Sequence, residues 1–383
     1  MILDRLVKIF TSLRLTVVLL ALGIILVFWG TLAQVHLGLY KAQDEFFRSL
    51  FVFWRPDGSD MRIPIFPGGY LIGGLLLINL FAAHLRYYQP GKKKYGIAMI
   101  HLGVVLLLLG QFATDLLSTE SFMSIREGAS SNYSESNARF ELAVVDTSDA
   151  GSDKVVAIPG GLLMKREEIS HADLPFTIRV KAFYPNSSLV ATNTDGFEEA
   201  QAGNSAGVRI WWRKLPPETA MNRRDMPSAI VELAGPKAQP AAYLVSGFLG
   251  RSQPFNFGGR SYEMALRPER YYKPFSLHLI DFRFDRYPGT EIPKNFSSRV
   301  RVENPATGER RETLIRMNEP LRYGGETLYQ ADWDKRDEKG TVLQVVRNPG
   351  WLTPYFACVL VAIGLMVQFL THLVGFAAKR RTA

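Results

Sequence analysis

Apolar residues gather into four long runs that contain no Asp, Glu, Lys or Arg: Leu15–Tyr40, Ile63–Leu85, Tyr95–Thr114 and Asn348–Ala378. Each reaches the roughly 20 residues that a helix needs to cross a bilayer core. The pattern predicts four transmembrane helices. Between the third and fourth runs the period changes. Leu174, Phe176, Ile178, Val180, Ala182 and Tyr184 alternate with mostly polar neighbours, the mark of a half-buried strand. In FSLHLIDFRF (275–284) the alternation runs through Phe275, Leu277 and Leu279. It then shifts phase to Ile280, Phe282 and Phe284, as at a β-bulge. SRVRVEN, ETLIRMN, ETLYQADW and TVLQVV read as further short strands. PGG at 159–161, YPG at 287–289, NPATGE at 304–309 and YGG at 323–325 read as turns.

The expected fold is α-helical transmembrane with four helices, plus a large mostly-β extracytoplasmic domain between helices three and four. The expected divisions are three N-terminal helices with a short outer loop in 1–117, a sandwich- or barrel-like β domain in 118–347, and a last helix with a basic tail in 348–383. The short loop at 41–62 carries Phe46, Phe47, Phe51, Phe53 and Trp54, which suits a helix lying in the membrane interface. In the third helix Gly96, Gly103 and Gly110 recur every seven residues and so share nearly one face, where another helix can come close. Gly69 and Gly73 in the second helix are a similar pair.

Charge sets the orientation. Residues 1–14 carry Asp4, Arg5, Lys8 and Arg14; the second hinge carries Arg86, Lys92, Lys93 and Lys94; the tail carries Lys379, Arg380 and Arg381. Together these account for the whole net charge of +9. All three segments fall on one side of a four-helix topology, the cytoplasmic side by the positive-inside rule. Both termini are then inside and the large domain outside. The basic balance reports topology and gives no reason to expect a nucleic-acid partner. The first apolar run is longer than the roughly 7–15 residues of a secretory h-region, so a retained helix is expected.

The one cysteine, Cys358, excludes an intrachain disulfide, a CxxC redox pair and a CxxCH haem-attachment motif. The segment between helices three and four offers no Ser–His–acid arrangement and no phosphate-binding loop, so no catalytic residue is assigned. Of six histidines, His171 and His278 lie in the β domain and read as hydrogen-bonded structural residues. His36 lies at the outer end of the first helix. His84, His101 and His372 all fall in the cytoplasmic half of the membrane. His101 and His372 each lie seven residues from a flanking lysine, about 10 Å of depth at 1.5 Å per residue. An ionisable group at that depth is costly unless it faces the bundle or a cavity. Desolvation favours the neutral imidazole, the form that ligates haem iron. His101 is roughly 200° around its helix from Gly103 and faces away from the glycine stripe. Snorkelling toward headgroups is the alternative for these histidines and suits His84 best.

Several stretches resemble the ResB (CcsB) family of system II cytochrome c biogenesis. These are TSLRLTVVLLALGIILVFWGTLAQ (11–34), HLGVVLLLLGQFATD (101–115), SFMSIREGAS (121–130), YPGTEIPKNFSSRVRV (287–302), MNEPLRYGGETLYQADWD (317–334) and VVRNPGWLTPY (345–355). The resemblance implies a haem-handling subunit of the cytochrome c synthase complex in the bacterial inner membrane. Its partners would be a ResC/CcsA-like membrane protein and apocytochrome c, whose CxxCH cysteines receive the haem. It implies His101 as an axial haem ligand; His84 and His372 are weaker candidates that do not come from the family. The partner's tryptophan-rich haem motif is absent, and Trp211-Trp212-Arg213 does not match it. An auxiliary rather than catalytic role is expected. Two other readings are open. A b-type haem redox subunit would need histidine pairs at two depths. A structural or sensory membrane protein with a β ectodomain would need no haem.

Overall fold

The computed structural model describes residues 7–54, 56, 61–87, 94–149, 151–165, 167–203, 207, 209–218, 224–235, 241–290 and 293–381. Asp4, Arg5, Pro90, Gly91, Lys92 and Lys93 lie outside them. The chain divides into two compact units, Met1–Ser118 with Asn348–Ala383 and Thr119–Glu218 with Asn222–Arg347.

Four helices of the first unit are long and apolar enough to cross a membrane: α1 (Leu13–Leu37), α2 (Gly69–Tyr87), α3 (Tyr95–Leu117) and α4 (Thr353–Arg381). Ser12 starts α1 by accepting from the Arg14 N–H, and Gly38 at φ 78° stops it. The expected interfacial helix at 41–62 is not what forms. One helical turn at Leu39–Ala42 passes into a π-turn at Gln43–Phe47. A two-stranded hairpin of β1 (Phe51–Trp54) and β2 (Ile63–Pro67) follows. Ile63–Pro67, expected to begin the second helix, is therefore strand, and α2 begins after Pro67-Gly68. Val52 points into a core with Leu19, Leu26, Phe46 and Ile72, while Phe51, Phe53 and Trp54 point out.

Asn79 locks α2 to α1. It is buried, accepts from Thr16 Oγ1 at 2.6 Å and donates to the Phe10 carbonyl at 2.8 Å. A buried amide satisfied from both sides fixes the register of two helices, since leaving it unsatisfied costs about 1–3 kcal/mol.

The second unit is β-rich. Its strands are β3 (Thr119–Arg126), β4 (Ser130–Asp146), β5 (Lys154–Pro159), β6 (Glu168–Ile169), β7 (Thr177–Tyr184), β8 (Ser187–Val190), β9 (Glu198–Glu199), β10 (Trp211–Lys214), β11 (Ser228–Ala234), β12 (Ala242–Ser246) and β13 (Gln253–Phe257). They continue with β14 (Arg260–Arg286), β15 (Pro293–Asn304), β16 (Glu309–Arg316), β17 (Leu321–Tyr323), β18 (Glu326–Trp333) and β19 (Gly340–Arg347). The main sheet runs β16-β15-β14-β4-β3-β19-β18-β17, with β13 added on β14 and β5 on β4. A second sheet, β12-β11-β7-β6, shares a core with one half of the main sheet: Ile178, Val180 and Val231 pack with Leu142, Met264 and Tyr262. The other half curls on itself. Val300, Val302 and Ile315 from one end share a core with Leu328, Leu343 and Val345 from the other.

The 27-residue β14 serves both cores. The phase shift expected at 279–281 is present as a register shift between Leu279 and Asp281, which keeps Phe275, Leu277, Leu279 and Phe282 all buried. The YGG turn places Gly324 and Gly325 at φ 59° and 79°, backbone that residues with a Cβ rarely adopt. PGG at 159–161 is not a turn; it opens a short helix, Gly160–Met164. Trp212 sits in the small sheet β8-β10-β9 and packs on Tyr184, a core role. His278 is hydrogen-bonded to Ser130 Oγ at 3.0 Å, and His171 accepts from the Asp173 N–H at 3.2 Å. Both fit the structural reading.

Candidate functional site

Helix α3 takes part in two unlike helix seams. Between α3 and α4 the heptad glycines form the contact: Gly96, Gly103 and Gly110 are buried. A Cβ added at Gly103 would lie 2.9 Å from the Ala357 carbonyl and 2.5 Å from Val361 Cγ2; one at Gly364 would lie 2.8 Å from the Gly96 carbonyl. No side chain fits there, so the backbones themselves touch.

Between α2 and α3 the approach is sparser. Successive residues on a helix turn by about 100°, which puts Tyr70, Gly73, Leu77 and His84 on one face of α2 and His101, Val105, Leu108, Phe112 and Asp115 on one face of α3. The two faces meet at both ends. At the end expected to be outer, Asp115 accepts from the Tyr70 hydroxyl and pairs with Arg48 Nε at 2.6 Å; the rings of Tyr70 and Phe112 meet edge to face. Along the seam a Cβ at Gly73 would meet nothing within 4 Å. The expectation that Gly69 and Gly73 act alike is therefore half right: Gly69 abuts the Phe47 backbone, and Gly73 faces open space.

At the other end the rings of His84 and His101 are 5.7 Å apart, inclined by 76°. His101 is half-buried, and its Nδ1 is buried with no hydrogen-bond partner among the described residues. The sequence pointed to both histidines without joining them; the fold brings them together. His101 lies away from the glycine stripe, as its 200° offset requires. His372 is not brought into this pair. It is exposed, and its Nε2 lies 2.7 Å from the Gln368 side-chain nitrogen one turn back on α4. No group of three or more potential metal-ligating side chains occurs among the described residues.

His101 can offer a ring nitrogen to a ligand from one wall of this seam. The orphaned Nδ1 fits that use, because a ligand would supply the partner that the protein does not. Sequence reasoning missed Arg48, whose pairing with Asp115 ties the loop after α1 to α3, and Asn79, an uncharged residue inside an apolar run.

Fold and seam together define a protein with four membrane-type helices joined to a β-rich domain. The ResB-like family model matches residues 255–342, from β13 to β19. The chain is 36% identical over 108 residues to Protein NrfI of Wolinella succinogenes, which covers 28% of this chain and 12% of that protein. It is 43% identical over 58 residues to Cytochrome c biogenesis protein CcsB of Prochlorococcus marinus, covering 15% and 13%. It is 33% identical over 76 residues to Cytochrome c biogenesis protein Ccs1 of Pyropia yezoensis, covering 18% and 17%. These matches bear out the resemblance to the ResB family. The aligned stretches span less than a fifth of each relative's own length.

Proposed function

We propose that the protein is a membrane subunit of cytochrome c maturation that handles haem as cargo, with His101 supplying an axial imidazole. The observation that carries this reading is the position of His101. It is a half-buried histidine in an apolar helix, turned from the tight α3–α4 contact into the open α2–α3 seam, with one ring nitrogen unpartnered. The names of two similar proteins, both cytochrome c biogenesis proteins, supply the pathway. In this reading the basic segments lie in the cytoplasm and the β domain lies outside. A ResC/CcsA-like partner carries the attachment site, and apocytochrome c receives the haem on its CxxCH cysteines.

Haem, when present, brings an iron centre that accepts neutral nitrogen donors. The chain's own part is to hold the His101 ring uncharged in an apolar wall and to keep that wall registered. The glycine contact to α4 fixes α3 on one side, while the Asp115 clasp to Tyr70 and Arg48 fixes its far end. The b-type redox reading calls for pairs at two depths; the described residues contain a single histidine ring pair.

The test is co-purification with the partner and the visible spectrum of bound haem, wild type against His101→Gly, with and without imidazole. The reading expects loss of the haem signal and of cytochrome c maturation, both restored by imidazole. Unchanged spectrum and maturation would remove His101 from the site.

A further inference from the structure

We propose that the basic end of the α1–α2 pair holds one anionic phospholipid, with an acyl chain in an apolar groove and the phosphate beside Lys8 and Arg86. The proposal does not depend on haem and stands or falls apart from the haem-handling reading.

The groove has a volume of about 530 Å³. A helical turn at residues 7–10 forms one wall and the last turns of α2 form the other. Val7, Phe10, Ile78 and Leu85 line it, and Arg86 stands at its end. Ile78, Ala82 and Leu85 are spaced by four and three residues, so they share one face of α2. From Ile78 to Arg86 is about 12 Å at 1.5 Å per residue, so the apolar lining runs well below the charged end. Nothing in the lining calls for water. The Thr11 hydroxyl already donates to the Val7 carbonyl at 2.7 Å. A groove this apolar holds water poorly and accepts hydrocarbon.

Asn79 builds the walls into a fixed shape. Its buried amide donates to the Phe10 carbonyl at 2.8 Å and to the Ser12 carbonyl at 3.3 Å, while it accepts from Thr16. The chain ahead of α1 is thereby pinned beside α2, and the gap between their apolar side chains stays unfilled.

Charge decides the occupant. Residues 7–14 and 78–87 contain Lys8, Arg14 and Arg86 and no Asp or Glu. Lys8 and Arg86 are both exposed. Cations at the mouth of a hydrocarbon slot complement a phosphate carried on an acyl tail, as in basic pockets between membrane helices. A partner helix fits less well. It is about 10–12 Å across with its side chains, and its apolar surface has no use for the cations. A free phosphate would leave the groove empty.

The experiment uses the full chain in lipid nanodiscs and a phosphatidylglycerol probe with a diazirine in its acyl chain, the crosslinked peptides being mapped by mass spectrometry. Crosslinks should concentrate on residues 7–11 and 78–86. Unlabelled phosphatidylglycerol should compete at least about fivefold better than phosphatidylcholine, the effect of one basic side chain near the surface. Lys8→Gln combined with Arg86→Gln, both at exposed positions, should abolish that preference. Ala82→Phe fills the groove and should remove the crosslink, while Ala82→Ser, which leaves the space open, should keep it. Even labelling of all four helices would overturn the proposal, as would equal competition by the two lipids or a crosslink that survives Ala82→Phe. Loss of the crosslink when a membrane partner co-purifies would also overturn it and give the groove to a partner helix.

Discussion

The two seams of α3 differ as a weld differs from a hinge. On the α4 side glycine clears the α3 surface, so that the backbone and side chains of α4 come into close van der Waals contact with it over several turns. On the α2 side the walls carry leucine, valine and two histidines, and they meet at the ends rather than along their length. The same helix is therefore fixed on one face and adaptable on the other. A membrane protein gains little from burying apolar surface against apolar surface, because lipid already satisfies it. Tight packing must be built, as with Gly103, and where it is not built the interface stays separable.

The contrast can be broken most strongly at Gly103. Gly103→Leu drives a side chain into the Ala357 carbonyl and Val361. Overpacking of this kind costs about 1–3 kcal/mol or more. Thermal unfolding in detergent should show a clear drop in midpoint, with loss of the wild-type proteolysis pattern.

Next comes the clasp at the end of the open seam. Asp115→Asn keeps the shape and removes the charge that Arg48 and Tyr70 share. Losing a charged hydrogen-bond acceptor costs about 1–3 kcal/mol, here toward the lower end because Arg48 reaches solvent. The expected signature is a modest loss of stability with faster labelling of a cysteine introduced at Gly73.

A smaller effect sharpens the comparison from the other side. Gly73→Ala meets nothing within 4 Å, so it should be neutral or stabilising by up to about 1 kcal/mol through helix propensity. Destabilisation as large as that at Gly103 would show that the α2–α3 seam is as closed as its neighbour.

The smallest effect is expected in the ion pairs on the surface of the β domain. Arg336 holds the Asp334 carboxyl well below the usual range by side-chain and backbone hydrogen bonds, with Arg126 adding to it. Lys154 lowers Asp173 through a side-chain hydrogen bond and its charge. A depressed folded-state value means the contribution is complete above the unfolded value of about 3.9 and fades as pH falls below it. Full-chain tryptophan emission should therefore hold steady down to about pH 4 and shift slightly below it. Salt should weaken the dependence, because exposed pairs are screened. A stability change centred near neutral pH would contradict this assignment.

Much of this was legible in the sequence, and the exceptions share a cause. The four apolar runs, the glycine heptad and the phase shift at Leu279–Asp281 are local patterns, and the fold contains each of them. Ile63–Pro67 reads as helix in the sequence because a short apolar run looks the same in a helix or a strand; its pairing with Phe51–Trp54 makes it a strand. His84 and His101 were both visible as histidines at membrane depth. Their meeting depends on how two helices turn across a hinge, which spacing does not encode. Arg48 and Asp115 are likewise joined only by the tertiary fold. The single 27-residue strand spanning two cores was invisible for the opposite reason: its pieces read as separate short strands.

The most direct test is pulsed electron paramagnetic resonance on ferric haem in the purified complex, with nitrogen-15 histidine in this chain and an unlabelled partner. The account predicts strong hyperfine coupling from a labelled axial histidine nitrogen, lost in His101→Gly. A spectrum in which every coordinating nitrogen is unlabelled would contradict it.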